Sequence, residues 1–318
     1  MPDIMVGVDI AKKKFDAARL ADGKYRHKVF DNTPAGFAAF VSCLAAFGPA
    51  PVRVTLEATG AYSLPLAEYL TGQGIWVSLV NPAQIQAFGK SEGSRTKTDK
   101  ADAKLIARYA EKREPTRWTP PPPALRELDA LLRRVEQLLE MRQMERNRLD
   151  TADPAAAPSI QNLLKALEKE LDATREAIRR RIDDDPDLPA RRDLLESIPG
   201  LGETTVAYLL VLFGDHHGFQ NAKQAVAFVG LAPNPHQSGQ AEAARLDKTG
   251  DARLRKALYM PALVAWRHNP VIRAFCERLK ARGKNGKSVA CAAMRKLLHL
   301  AFGILKSGKK FDPEFKVA

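Results

Sequence analysis

The sequence predicts an α/β domain at its N-terminal end, followed by two helical regions. Three observations carry the prediction. Three strand-like runs open the chain, and helical and strand-like segments then alternate up to residue 112. A proline run, TPPPP at 119–123, interrupts that alternation as a stiff linker would. Beyond it, apolar residues recur at steps of three and four, the spacing of packed helices.

The elements follow in order. IMVGVDI (4–10) is a β-branched run ending at Asp9. FDAARLAD and YRHKVFDN follow, separated by the turn residues Asp22 and Gly23, so the three read as an antiparallel meander. Thr33-Pro34 starts a helix through Phe47, with proline at its first position. VRVTLEA (52–58) is a strand, YSLPLAEYLTGQG a helix closed by Gly72 and Gly74, and IWVSLV (75–80) a strand ending at Asn81-Pro82. Ala101, Leu105, Ile106 and Tyr109 mark a helix from Thr98 to Lys112. In the second region Leu125, Leu128, Leu132, Val135 and Leu139, then Ile160, Leu164, Leu167, Leu171 and Ile178, form two heptad seams separated by TADPAAAP. They predict an antiparallel coiled-coil hairpin that serves as a spacer or dimerisation arm. The third region reads as helices over 193–213, 220–229, 251–267, 270–282 and 287–306, with a structureless loop over 232–251. The expected divisions are 1–118, 119–190 and 191–318.

The chain has 318 residues and a formal net charge of +13, which points to an anionic partner. Residues 190–318 hold 21 Lys and Arg against 10 Asp and Glu, so the basic excess lies in the C-terminal third. That third is the expected nucleic-acid surface. Cys43, Cys276 and Cys291 are odd in number and widely spaced, which argues for a reducing compartment and against a zinc ribbon. The N-terminus is too charged for a signal peptide. The longest apolar stretch, around Val206–Phe213, is far shorter than the roughly 20 residues that span a bilayer. A cytoplasmic protein with no membrane partner is expected.

Four acids stand where chemistry could use them. Asp9 and Glu57 end strands, and Asp99 and Asp102 open a helix, three residues apart and so about 60° apart on one face. Carboxylates gathered in this way repel unless a cation neutralises them, and an all-oxygen set suits Mg²⁺ or Mn²⁺. Two such ions about 4 Å apart can activate an attacking oxygen and stabilise a leaving one at a phosphodiester. Taken singly, each acid reads equally as a turn residue or a first-turn helix acid.

Two features of the third region are open to more than one reading. LLESIPGLGETTVAYLL (194–210) has the form of a helix-hairpin-helix element that grips nucleic-acid backbone, and equally of a glycine-rich turn between core helices. Ser238, in HQSG, is by local pattern a turn residue. Nearby Arg245, Lys248, Arg253, Arg255 and Lys256 could supply the positive charge that attack on a phosphodiester needs.

Taken together, GVDIAKKKFD, LEATGAY, NPAQIQAF with SEGSRTKTDKADA, LLESIPGLGETTVAYLL, AFVGLAPNPHQSG and LRKALYMPALVA resemble one family across nearly the whole chain. It is the DEDD insertion-sequence transposases of the IS-one-ten type, described as bridge-RNA-guided recombinases. The resemblance implies a ribonuclease H-like (RuvC-like) N-terminal domain, a coiled-coil arm and a mainly helical C-terminal transposase domain. It implies metal ligation by Asp9, Glu57, Asp99 and Asp102, and a nucleophilic Ser238 that forms a phosphoserine link to DNA. It also implies donor and target DNA, a structured guide RNA, and a dimer or higher assembly whose protomers complete one site. Gln237 stands where relatives often carry Glu, and QAEAARLDKTG replaces small residues and an Arg-Gly. A nuclease using water, and a non-catalytic nucleic-acid-binding protein, are the alternative functions.

Overall fold

A computed structural model of the chain describes residues 3–48, 50–58, 60–93, 98–214, 217–238, 241–246 and 250–314, with backbone alone at 61, 234–238 and 241–246. The chain forms two compact units, 1–120 and 121–318.

The first unit is a five-stranded sheet in the order β3-β2-β1-β4-β5. β1 (Ile4–Ile10), β2 (Lys14–Ala21) and β3 (Lys24–Asp31) form the antiparallel meander, and β4 (Val52–Glu57) and β5 (Trp76–Val80) run parallel to β1. Asp22 and Gly23 both have positive φ, the backbone a two-residue hairpin turn requires. This order and these directions are those of the ribonuclease H-like fold.

Alternation along the strands sends Val6, Val8, Phe15, Ala17, Val54 and Leu56 into one core. There they meet Phe37, Phe40 and Leu44 of α1 (Pro34–Ala45) and Leu66, Ala67 and Leu70 of α2 (Leu64–Gly72). The intervening residues face the other way, toward α4 (Asp99–Arg113). Between β5 and α4 lies α3 (Pro82–Ser91), a helix the sequence reading omitted. Its signals are present: Asn81 accepts from the Ala83 N–H, and Pro82 occupies the first turn.

In the second unit α5 (Pro123–Leu149) and α6 (Ala157–Asp183) run antiparallel, as the Arg181–Glu127 and Arg146–Glu168 pairs show. They do not form a separate core. Leu128, Leu132, Val135 and Leu171 share one apolar cluster with Leu195, Val206, Leu258 and Leu297 of the following helices. The span 193–213, expected as one helix, is two, α7 (Leu188–Glu196) and α8 (Glu203–Leu212). Their turn holds Gly200 at φ +105, pressed on Ala265, and Glu203 accepts from Arg179 of α6 at 2.9 Å.

α9 (Ala222–Val229), α10 (Ala252–His268), α11 (Pro270–Ala281) and α12 (Gly286–Ser307) complete the unit. By length and composition alone α12 is long and apolar enough to cross a membrane, unlike the Val206–Phe213 stretch. Its Val289, Ala293, Leu297, Leu298 and Ala301 are buried in the unit's core.

The stretch 232–251 is not a structureless loop. Pro233–Ser238 (β6) and Ala241–Leu246 (β7) pair antiparallel, with Gly239 and Gln240 between them outside the described residues. Two prolines in β6 and an alanine-rich β7 hide the strands from sequence rules. A two-stranded ribbon is all edge, where proline is tolerated. The ends of this excursion meet at Gly230 and Gly250: a Cβ on Gly250 would stand 2.2 Å from the Gly230 nitrogen.

Candidate functional site: a carboxylate face on the ribonuclease H-like unit

The site is built on the sheet face opposite α1 and α2. Asp9 pairs with Asp16 across β1 and β2. Val8 pairs with Leu56, so the next step along both parallel strands sets Asp9 beside Glu57. Directly paired residues face the same side, which places Asp9, Asp16 and Glu57 on one face.

α4 comes unusually close to that face because β1 carries a glycine beneath it. A Cβ on Gly7 would stand 2.2 Å from the Ala107 nitrogen and 2.3 Å from the Ala103 oxygen. Thr98 caps α4 by accepting from the Ala101 N–H, and Asp99 and Asp102 lie in its first turn. The other three sequence-predicted acids therefore act on Asp9. Burial first, then Asp102, Glu57, Asp99 and Asp16, push the Asp9 carboxyl up to about 6.

The sequence reading missed Asp16, which is buried at 4% exposure. His27 Nε2 lies 2.6 Å from its Oδ1, and Lys14 Nζ donates to its Oδ2 at 3.3 Å. The same ammonium donates to Asp99 Oδ2 at 3.0 Å and holds that carboxyl below its ordinary pKa. Period-two spacing from Lys14 to Asp16 was the available signal, since it puts both on the Asp9 face once the hairpin register is known.

The donor set suits a hard divalent cation, and Asp9 is destabilised as an anion in a way such a cation would relieve. Among the described residues no three His, Cys, Asp or Glu side chains are gathered closely enough to hold an ion as they stand.

Asp9→Asn is expected to stabilise the metal-free protein at neutral pH. A carboxyl whose folded pKa lies above its unfolded one favours folding while protonated. That contribution is complete below about 3.8 and is lost as pH rises through about 6. Asp9 is only half-buried and solvent screens it, so the gain at pH 7.5 should be about 1–2 kcal/mol. Urea unfolding with a chelator at pH 7.5 and pH 4 checks this, because the difference between the two proteins should vanish at the lower pH.

In the second unit Ser238 ends β6 opposite Ala241, and its side chain lies outside the described residues, as do those of Gln237 and Gln240. The side chains of Arg245 and Lys248 also lie outside them. Arg253 does not offer its charge to a phosphate as the sequence suggested. It donates to Glu136 at 2.8 Å and to Asp129 at 3.2 Å on α5. Arg255 donates to the Val229 carbonyl at 2.8 Å, and Lys256 lies 3.6 Å from Glu140.

Comparison with known proteins gives the class. Residues 6–152 match a family model described as "Transposase", and residues 192–277 match one described as "Transposase IS116/IS110/IS902 family". The chain is 34% identical to the "Pilin gene-inverting protein" of Moraxella lacunata, over 98% of each protein. It is 27% identical to the "Transposase for insertion sequence element IS1111A" of Coxiella burnetii, over 92% of this chain and 87% of that one. A structure titled "Thermus thermophilus RuvC structure" aligns with 36% of this chain and 98% of that chain, at 16% identity and a TM-score of 0.28. A DNA transposase or recombinase is the class so defined. The chain belongs to the IS116/IS110/IS902 family of transposases.

Proposed function

We propose that this transposase is an RNA-guided recombinase that cuts and exchanges DNA strands with an acidic metal site and a serine nucleophile. The observation that supports it most is the placement of Asp9 and Glu57 on one sheet face, with Asp99 and Asp102 on the helix near it and the Asp9 carboxyl raised to about 6 by burial and these acids. Those four residues would hold Mg²⁺, or Mn²⁺ in its place. The cation would supply charge neutralisation at the scissile phosphate. Asp16 and Lys14 orient Asp99 at the rim of the site.

The Ser238 hydroxyl loses its proton and its Oγ attacks the phosphorus. An Oγ–P bond forms, the P–O bond to the adjoining sugar breaks, and the released sugar oxygen takes up a proton. Attack on the phosphoserine by a sugar hydroxyl of the partner strand reverses these bonds and completes the exchange. The role of Ser238, the guide RNA that pairs with donor and target DNA, and a site completed by two protomers all rest on the family resemblance. The α5–α6 hairpin is the proposed arm of self-association, in a protein working in the cytoplasm.

Ser238→Ala and Asp9→Ala separate this reading from a nuclease that uses water. With purified protein, RNA, both DNA sites and Mg²⁺, each change should abolish recombination. Both changes should remove the covalent protein–DNA adduct while leaving DNA binding intact. Cleavage that survives Ser238→Ala but not Asp9→Ala would establish the water mechanism.

A further inference from the structure

The basic excess of the second unit is concentrated more narrowly than its sequence thirds suggest. Residues 270–310 hold eleven Lys and Arg against one acid, Glu277. Among the described residues none of these cations forms a salt bridge with a carboxylate, whereas those of α5, α6 and α10 largely do. Charge left unpaired along two adjacent helices awaits an anionic partner.

Between α11 and α12 this surface opens into a cleft of about 350 Å³. Phe275, Leu279 and Ala292 supply its apolar part, and Arg295, Lys296 and His299 its polar part. The Arg278 guanidinium stands 5.6 Å from the centre of the Phe275 ring. Arg295 Nε is buried with no hydrogen-bond partner among the described residues. Burial, with Lys296, Arg295 and Lys223 nearby, lowers the His299 pKa, so its imidazole is neutral at pH 7 and can accept as well as donate a hydrogen bond.

We propose that this cleft seats one unstacked base of a single-stranded polynucleotide, with Arg295 and Lys296 meeting its flanking phosphates. An aromatic ring beside guanidinium and ammonium groups is the chemistry that holds a base by its face and its backbone by charge. A base inside a duplex is stacked on both faces and cannot use the ring. A purely apolar partner would leave Arg295 and Lys296 desolvated and unpaired. Single-stranded RNA and a displaced DNA strand share the required chemistry. The proposal rests on membership of a DNA-processing family and is independent of Ser238 and of the acidic face.

The test uses the full-length protein with a single-stranded oligonucleotide carrying one iodinated pyrimidine, made as RNA and as DNA, and with the matching duplex. Irradiation should attach the single strand to the peptide spanning 270–299, and the better-attached backbone identifies the source. Phe275→Leu should weaken single-strand binding about five-fold or more, as expected when a stacked base loses its aromatic partner. It should leave duplex affinity and the salt slope unchanged. Arg295→Gln keeps the ring and should reduce the single-strand salt slope by about 0.7, the loss of one phosphate contact. Attachment only outside 270–299 would overturn the proposal. So would equal losses for duplex and single strand with Phe275→Leu, or an unchanged slope with Arg295→Gln.

Discussion

Gly7→Ala is expected to disable the transposase although residue 7 bears no functional group. The added Cβ would lie 2.2–2.3 Å from backbone atoms of Ala107 and Ala103, where no side-chain rotation can relieve it. Either β1 or α4 must move. Overpacking of this kind costs about 1–3 kcal/mol, which urea unfolding would register. The larger effect falls on chemistry, because α4 carries Asp99 and Asp102 while β1 carries Asp9. A shift of an ångström between them loosens whatever the four acids hold, and can lower a rate about 100-fold. Mn²⁺ titration followed by its paramagnetic signal should show weaker binding in the variant than in Asp99→Asn controls predicts for a single lost ligand. Unchanged affinity and stability would mean that α4 does not rest on β1 at Gly7.

The second large effect is expected at Arg253. Its guanidinium bridges Asp129 and Glu136, and burial followed by Glu136 raises the Tyr208 pKa. Burial opposes the charge on Arg253, yet the two carboxylates hold its pKa above the ordinary value. Arg253→Met removes the cation, leaving part-buried Glu136 without its ion-pair partner and Asp129 with Arg133 alone. Breaking such a pair from one side costs about 3–5 kcal/mol when fully buried, and about 2–4 kcal/mol is expected at this partial exposure. Glu136→Gln in the same chain should recover most of the loss, because the charge left without a partner is then gone. A double-mutant cycle by thermal and urea unfolding measures the coupling. Additive losses would show that the bridge contributes nothing.

These two residues also show what the sequence could and could not disclose. Asp9 and Glu57 were legible because each ends an apolar run, and Asp99 with Asp102 because a helix start is marked by Thr98. The strand order followed from a meander succeeded by βα alternation. Gly7 was not legible, since its meaning depends on a helix about one hundred residues later. Asp16 was hidden in the same way: only the register across β1 and β2 turns an ordinary strand residue into a neighbour of Asp9. Arg253 was misread because positive charge near a candidate nucleophile looks available until its partners on α5 are seen. The ribbon β6–β7 escaped because local preference argued against both strands, and pairing overrode it.

The meeting of Gly230 and Gly250 has a wider consequence. Gly230 ends α9 in the left-handed conformation, Asp251 N–H returns to the Phe228 carbonyl at 3.1 Å, and Asp251 then caps α10. The segment bearing Ser238 thus departs and re-enters the helical body at a single doorway. Closing such an excursion depends only weakly on its length, each doubling adding about 0.6 kcal/mol. It is therefore a segment whose length can vary at little cost in closure, provided the two glycines at the threshold remain.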